Sequence, residues 1–264
     1  MRDTYIHREI SLKEKIWRIF KIFFIVLIIE ALIIFILYII IYSPIFKIQE
    51  IKINGLNQVS EKEINNFLII NLFNNSFIKK ILSSKNILIW PENLDNNLKM
   101  FFTIKSVQIK KDFLNRKIEI NVIERKPFGI WCLISQNECL EFDSDGILFK
   151  KTFLSEGNLI LKINDYSLRN LNIGAKVLPD RLLDIFLNII SMLKQQNIAF
   201  SDVNIKDINL EEMEIKVFNG PKIYFSLRFP SPDVEQIIDD FKNKNIFNKL
   251  EYIDLRVENR VYYK

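Results

Sequence analysis

The sequence predicts an α+β protein with a single N-terminal transmembrane helix, a β-α-α-β-β domain, and a mixed β domain with two flanking helices. The run over 22–42 is apolar apart from Glu30, and about 20 apolar helical residues cross the ~30 Å hydrocarbon core of a bilayer. Beyond it, short alternating segments and helical repeats follow one another to the end of the chain. The predicted parts are a tail at 1–21, the span at 22–42, and domains at 43–125 and 126–264.

Charges beside the apolar run predict its orientation. Five cations precede it closely, whereas only two follow at similar range: Arg8, Lys13, Lys15, Arg18 and Lys21 against Lys47 and Lys52. Lys and Arg are enriched in cytoplasmic segments, so we expect a cytoplasmic N-terminus, a type II span in the plasma membrane and an extracytoplasmic body. The alternative is a cleavable signal peptide, but its apolar core would be only about 7–15 residues long, followed by a small-x-small site.

Glu30 lies close to the middle of the run. An ionised side chain at that depth costs several kcal/mol, so it is usually neutralised, paired or functional. One interpretation is a polar contact with another membrane helix. The other is a protonated glutamate that a strongly apolar helix tolerates.

The charge of the body does not indicate a nucleic-acid partner. The chain has a formal net charge of +5 from 37 Lys and Arg against 32 Asp and Glu. Without the first 42 residues, 31 cations and 28 anions remain. We find no basic stripe, and the excess cations of the tail face anionic lipid.

In the first domain, Ile51 and Ile53 alternate up to Asn54-Gly55, which predicts a strand and a turn. Ser60 and Glu63 form a capping box, which predicts a helix to about Leu72. The other expected elements are an extended piece at 87–89, a helix over about 91–102, and strands around 107–109 and 118–122.

The second domain is predicted to begin with a β-meander over about 130–149 and to contain two amphipathic helices. Asn219-Gly220 separates two alternating runs and predicts a hairpin. Apolar side chains then alternate over 252–263, which predicts one long terminal strand. The remaining expected elements are strands at 130–134, 139–142, 147–149 and 159–163, and helices from about 179 to 193 and 234 to 241.

Cys132 and Cys139 flank the turn of a predicted hairpin. Cysteines opposed across such a hairpin can form a disulfide, which persists outside the cytoplasm; the alternative is two free thiols. Two ligands do not make a metal site. Asp143 and Asp145 start like a calcium loop, but the later ligands are missing, so we interpret 143–146 as a turn.

Four segments in this order resemble the FtsQ/DivIB family of bacterial cell-division proteins. They are the stretch after the span at 43–55, V-I-E-R-K-P-F-G-I-W at 122–131, D-S-D-G-I-L-F at 143–149, and Y-I-D-L-R at 252–256. The resemblance implies a POTRA domain at 43–125 and an FtsQ-type β domain at 126–264.

The resemblance also implies a scaffold at the division septum that recruits bitopic partners of the FtsB and FtsL type. Such a scaffold links early ring components to septal peptidoglycan synthesis, and partners dock by adding a strand to the last strand of the β domain. An unpaired strand edge is a template for such addition. The expected partner-binding residues are Arg256, Val257, Glu258, Asn259, Arg260, Val261, Tyr262 and Tyr263. The alternative is that this strand is paired inside the sheet and only completes the core.

The sequence leaves two other functions open: a membrane-anchored cell-wall enzyme and a POTRA-type secretion or assembly chaperone. An enzyme needs an activated nucleophile, a metal cluster or poised carboxylates. The only histidine, His7, lies on the cytoplasmic side, and only one POTRA-like unit is visible. We therefore expect no catalytic, cofactor-binding or metal-binding residues.

Overall fold

The computed structural model describes residues 12–73, 84–92, 101–152, 160–230 and 234–264, and within them the fold is α+β, with four helices. The helices are α1 (Leu12–Tyr42), α2 (Glu61–Phe73), α3 (Asp180–Gln195) and α4 (Val234–Asn243). The strands are β1 (Glu50–Asn54), β2 (Ile104–Asp112), β3 (Lys117–Glu124), β4 (Gly129–Leu133), β5 (Glu138–Phe142), β6 (Leu148–Thr152), β7 (Leu161–Asp165), β8 (Phe200–Ile205), β9 (Glu212–Val217), β10 (Lys222–Ser226), β11 (Tyr252–Leu255) and β12 (Tyr262–Tyr263).

Helix α1 contains the predicted span. Its segment Lys15–Tyr42 has 28 residues and a mean hydropathy of 3.3 in its most apolar window, long and apolar enough to cross a membrane. The helix ends just before Pro44, because proline cannot extend the hydrogen-bond ladder. A 3₁₀ turn, Pro44–Phe46, follows, and the Ser43 hydroxyl accepts a hydrogen bond from its Ile45 amide.

The first sheet has the order β1-β3-β2, with β1 parallel to β3. The capping box is confirmed: Ser60 Oγ accepts from the Glu63 amide at 3.3 Å, and Glu63 Oε2 accepts from the Ser60 amide at 3.0 Å. The expected extended piece at 87–89 is wrong. It is a 3₁₀ turn, because the side chain of Asn86 accepts from the Leu88 amide and caps it. The helix expected over 91–102 lies largely outside the described residues.

The second sheet has nine strands in the order β12-β11-β10-β9-β8-β7-β4-β5-β6. It is mixed, since β4, β7 and β8 run parallel to one another and β10 runs parallel to β11. Helices α3 and α4 bury their apolar faces in the same core as the sheet. Trp131, Phe142 and Phe186 lie fully buried at its centre. The expected mixed sheet with two helices is therefore present, although sequence analysis did not identify β8.

The long strand predicted over 252–263 is wrong. The segment forms a hairpin: β11 is followed by a turn around Asn259, and β12 returns antiparallel to β11. Asn259 adopts a left-handed backbone with φ 57°, a conformation that asparagine tolerates better than most residues. The terminal segment therefore contributes two strands to the sheet instead of one.

The chain divides into two compact units. Unit 1 is Met1–Leu94 with Gln108–Asn121, and unit 2 is Asp95–Val107 with Val122–Lys264. This division runs through β2 and β3, whereas the predicted domain boundary lies after β3. That boundary, between 125 and 126, stays a prediction.

Candidate functional site at the C-terminal sheet edge

Strand β12 forms one edge of the nine-stranded sheet. It pairs with β11 through Ile253↔Tyr263 and Asp254↔Tyr262. Lys264 continues the pairing, because its amide donates to the Tyr252 carbonyl at 3.2 Å. The carbonyl of Lys264 accepts from the Glu251 amide at 2.6 Å. The last residues of the chain are therefore joined firmly to β11 on their inner side.

The outer side of β12 presents main-chain groups. Tyr252 and Lys264 form a hydrogen-bonded pair, and such pairs alternate with non-hydrogen-bonded pairs along an antiparallel ladder. The amide and carbonyl of Tyr263 therefore point away from β11. No described strand pairs with that side of β12. These groups can accept an added strand from another chain.

Side chains fix the position of this edge strand. The ring of Tyr263 lies edge-on to the ring of Phe241 on α4, with centroids 4.9 Å apart. Val261 packs against the core of the second unit. The side chains of both Tyr262 and Tyr263 are about half exposed. The edge is thus held in place by contacts within the chain.

Arg256, one of the expected partner-binding residues, is already engaged within the chain. Its Nε donates to Asp254 Oδ1 at 2.9 Å, and its Nη1 donates to Glu212 Oε2 at 3.0 Å. The guanidinium carbon also lies 4.9 Å from the centre of the Tyr224 ring. Hydrogen bonds from Arg256 lower the pKa of Asp254. In the described structure the side chain of Arg256 therefore links β11 to β9 by hydrogen bonds.

The residues between β11 and β12 form a turn beside a shallow groove. The Arg260 amide donates to the Val257 carbonyl at 3.2 Å, and the side chain of Val257 is exposed. The groove, of about 310 Å³, runs between this turn and the start of α4. The predicted residues that line it are Val257, Glu258, Asn259, Arg260 and Val261. The expected partner-binding residues therefore fall into three groups. Tyr262 and Tyr263 form the edge strand, residues 257–261 line the groove, and Arg256 is hydrogen-bonded to Asp254 and Glu212.

The other residues singled out from the sequence lie elsewhere. Cys132 and Cys139 are directly opposed on β4 and β5, with Cα atoms 4.0 Å apart, and the structure joins them in a disulfide. Glu30 lies within α1 with its side chain exposed, so its contact with another helix stays a prediction. Within the residues described, no group of three or more His, Cys, Asp or Glu side chains is placed to hold a metal ion.

Two of the quoted motifs contact each other. Arg125 of the segment 122–131 forms an ion pair with Oδ2 of Asp143, which begins the segment 143–149. Oδ1 of Asp143 accepts from the amides of Asp145 and Ile147, at 3.0 and 2.9 Å. One carboxylate oxygen of Asp143 thus stabilises the turn, and the other binds Arg125. This is a structural role.

Sequence analysis missed a second buried ion pair in the same core. Trp131 Nε1 donates to Asp165 Oδ2 at 2.9 Å, and Arg169 Nε donates to the same oxygen at 2.7 Å. Asp165 is fully buried, and Arg169 also donates to the Val177 carbonyl at 2.7 Å. The spacing of Asp165 and Arg169 by four residues was the only signal available. It is a common spacing and does not by itself indicate burial.

Comparison with known proteins does not assign the chain to a family. No model of a known protein family matches the sequence. A search of curated proteins likewise finds no significant match.

Proposed function

We propose that this chain is a bitopic scaffold of the bacterial division machinery, of the FtsQ/DivIB type. In this proposal α1 anchors it in the plasma membrane with the N-terminus in the cytoplasm. A POTRA domain at 43–125 and an FtsQ-type β domain at 126–264 lie outside, at the septum. The scaffold recruits bitopic partners of the FtsB and FtsL type and connects early ring assembly to septal peptidoglycan synthesis.

The observation that carries the proposal is the open outer side of β12. A partner segment in extended conformation can pair with the outward amide and carbonyl of Tyr263 and so extend the nine-stranded sheet. Main-chain hydrogen bonds then supply affinity, while the exposed ring of Tyr262 and the groove beside Val257 supply specificity. The four motif resemblances and the cationic segment before α1 support the same assignment.

The test uses the full chain, co-expressed with FtsB-type and FtsL-type proteins of the same bacterium and purified in detergent. Tyr263→Pro removes the outward amide without removing a hydrogen bond to β11. Proline is tolerated on an edge strand where the amide faces outward. Tyr263→Ala is the matched control, because it loses the same ring and keeps the amide. We expect Tyr263→Pro to retain much less partner than Tyr263→Ala.

Equal recovery of partner with Tyr263→Pro and Tyr263→Ala would show that main-chain pairing at β12 does not hold the complex. A second measurement addresses the broader role. Depletion of the chain should block septation and produce filaments in which wall synthesis continues along the side walls. Normal septation after removal of the gene would refute the division assignment itself.

A further inference from the structure

Two side chains of unit 1 are bonded to the end of α1. Asn86, only 3% exposed, donates from Nδ2 to the Ile40 carbonyl at 2.9 Å, within the last turn of the helix. Arg116 donates from Nη1 to the Pro44 carbonyl at 3.2 Å, two residues after the helix ends. The first bond satisfies a carbonyl of the last helical turn, where carbonyls have no partner within the helix. The Pro44 carbonyl also accepts from the Lys47 amide at 3.3 Å, so Arg116 is its second donor. The two side-chain bonds also place the β2–β3 connection beside the end of the apolar helix.

The connection between β2 and β3 presents two large apolar side chains. Phe113 is 50% exposed and Leu114 is 96% exposed. We call these two residues the β2–β3 tip. Hydrogen bonds hold the turn that carries these two residues. The carboxylate of Asp112 accepts from the backbone amide of Asn115 at 3.0 Å and from the side-chain Nδ2 of Asn115 at 2.7 Å. Local hydrogen bonds therefore display the tip instead of folding it back onto the sheet.

The tip is close in space to the end of the span, because Arg116 is bonded to the Pro44 carbonyl. Leu114 is two residues from Arg116, so their Cα atoms are at most about 7 Å apart. Two lysines precede it, Lys110 exposed and Lys111 partly exposed, and the exposed carboxylate of Asp112 lies between them and Phe113. Apolar side chains flanked by lysines are typical of segments that bind the membrane interface, where the apolar part enters to a depth of about 5–10 Å.

We infer that the β2–β3 tip inserts into the bilayer that α1 crosses, in the leaflet at the Tyr42 end of the helix. Phe113 and Leu114 enter the boundary between headgroups and acyl chains, and the neighbouring lysines face anionic headgroups. The tip would then be a second membrane contact that holds unit 1 against the lipid surface. This inference rests on the proposed function in one respect, namely that α1 spans the membrane.

The experiment reconstitutes the full chain in vesicles of acyl-brominated phosphatidylcholine mixed with phosphatidylglycerol. All variants carry Trp17→Phe, because Trp17 lies on α1 and would itself be quenched by brominated lipid. Leu114→Trp then reports on the tip, and Phe113→Trp provides a second reporter. Leu168→Trp is the matched control, since Leu168 is 94% exposed and belongs to unit 2. Buried Trp90 and Trp131 give a constant background, which the Trp17→Phe parent measures.

We expect brominated lipid to quench the added fluorescence of Leu114→Trp and Phe113→Trp several-fold more strongly than that of Leu168→Trp. Extraction with alkaline carbonate is measured on the same vesicles. If the chain resists extraction and both tip reporters are quenched no more than the control, the inference is overturned and the anchored scaffold stands. If carbonate extracts the chain, α1 does not span the membrane, and both the inference and the proposed anchoring fail.

Discussion

The ring of Tyr263, the penultimate residue, lies edge-on to Phe241 of α4 at an interplanar angle of 61°. Phe241 is buried, so this contact connects the edge strand to the core of the second unit. The two-residue strand β12 would otherwise depend on few main-chain bonds. The aromatic pair therefore explains how so short a strand can keep a defined edge.

The aromatic pair predicts local protection of the terminal hairpin. Edge-to-face pairs contribute about 0.5–1.5 kcal/mol beyond area burial. We expect Tyr263→Ala to speed amide exchange over 252–264 by roughly fivefold, the equivalent of about 1 kcal/mol. Tyr262→Ala is the control, because its side chain is similarly exposed, 47% against 55% for Tyr263, but it is not part of the pair with Phe241. Hydrogen-exchange mass spectrometry makes the comparison, and equal acceleration in both variants would contradict the role given to the pair.

The carboxylate of Asp254 predicts an acid sensitivity of the same hairpin. Hydrogen bonds from Arg256 lower its pKa, so folding favours the ionised form. This contribution is fully present above the unfolded pKa of about 3.9 and is lost as pH falls through the lower folded pKa. The side chain is partly exposed, so we expect less than about 1 kcal/mol.

The measurement compares melting temperatures of the full chain and of Asp254→Asn in detergent as a function of pH. The advantage of the native carboxylate should be constant from neutral pH to about pH 5 and should shrink below about pH 4. In an Arg256→Gln background the advantage should largely vanish, because the donor responsible is gone. An advantage that grows on acidification would reverse the predicted sign.

The ion pair of Arg125 and Asp143 predicts a large stability difference between two similar substitutions. Asp143→Asn keeps the oxygen that serves the turn but places an amide donor opposite Arg125, which is largely buried and would keep only its longer, 3.8 Å ion pair with Asp145. Breaking a buried pair costs about 3–5 kcal/mol, and because Asp145 stays near Arg125 we expect the lower end of that range. Glu138→Gln at the exposed pair with Lys151 should cost less than about 1 kcal/mol. Thermal unfolding of the two variants measures the difference. Equal decreases in melting temperature would show that the buried pair contributes no more to stability than the exposed one.

The terminal hairpin shows why a correct periodicity produced a wrong element. Ile253, Leu255 and Tyr263 lie on the apolar side of both strands, and the turn between the strands preserves the alternation. A pattern of period two therefore cannot distinguish one long strand from two strands with such a turn. The signal available was Asn259, which interrupts the apolar series and tolerates a left-handed backbone.

Strand β8 was missed for a different reason. Only Val203 and Ile205 are buried within it, and Asp202 and Asn204 between them weaken the pattern. Its place between β7 and β9 depends on a parallel pairing with β7 through the crossover that contains α3. Local elements such as the capping box at Ser60 were predictable because their hydrogen bonds join near neighbours. Pairings between distant strands carry no comparable local signal.

The bond between Cys132 and Cys139 provides a last prediction, which concerns stability rather than redox chemistry. The cysteines are separated by seven positions and join adjacent strands near one end of the sheet. Closing so short a loop stabilises a fold by about 2–3 kcal/mol, mainly by restricting the unfolded chain. We expect a reductant to lower the free energy of unfolding of the full chain by this amount.

The measurement is chemical denaturation with and without dithiothreitol, with alkylation and mass spectrometry to count free thiols. A double variant, Cys132→Ala with Cys139→Ala, is the control and should not respond to the reductant. Two alkylatable thiols in the chain as isolated from its native membrane would show that the bond does not form there, and would also count against an extracytoplasmic location of β4 and β5.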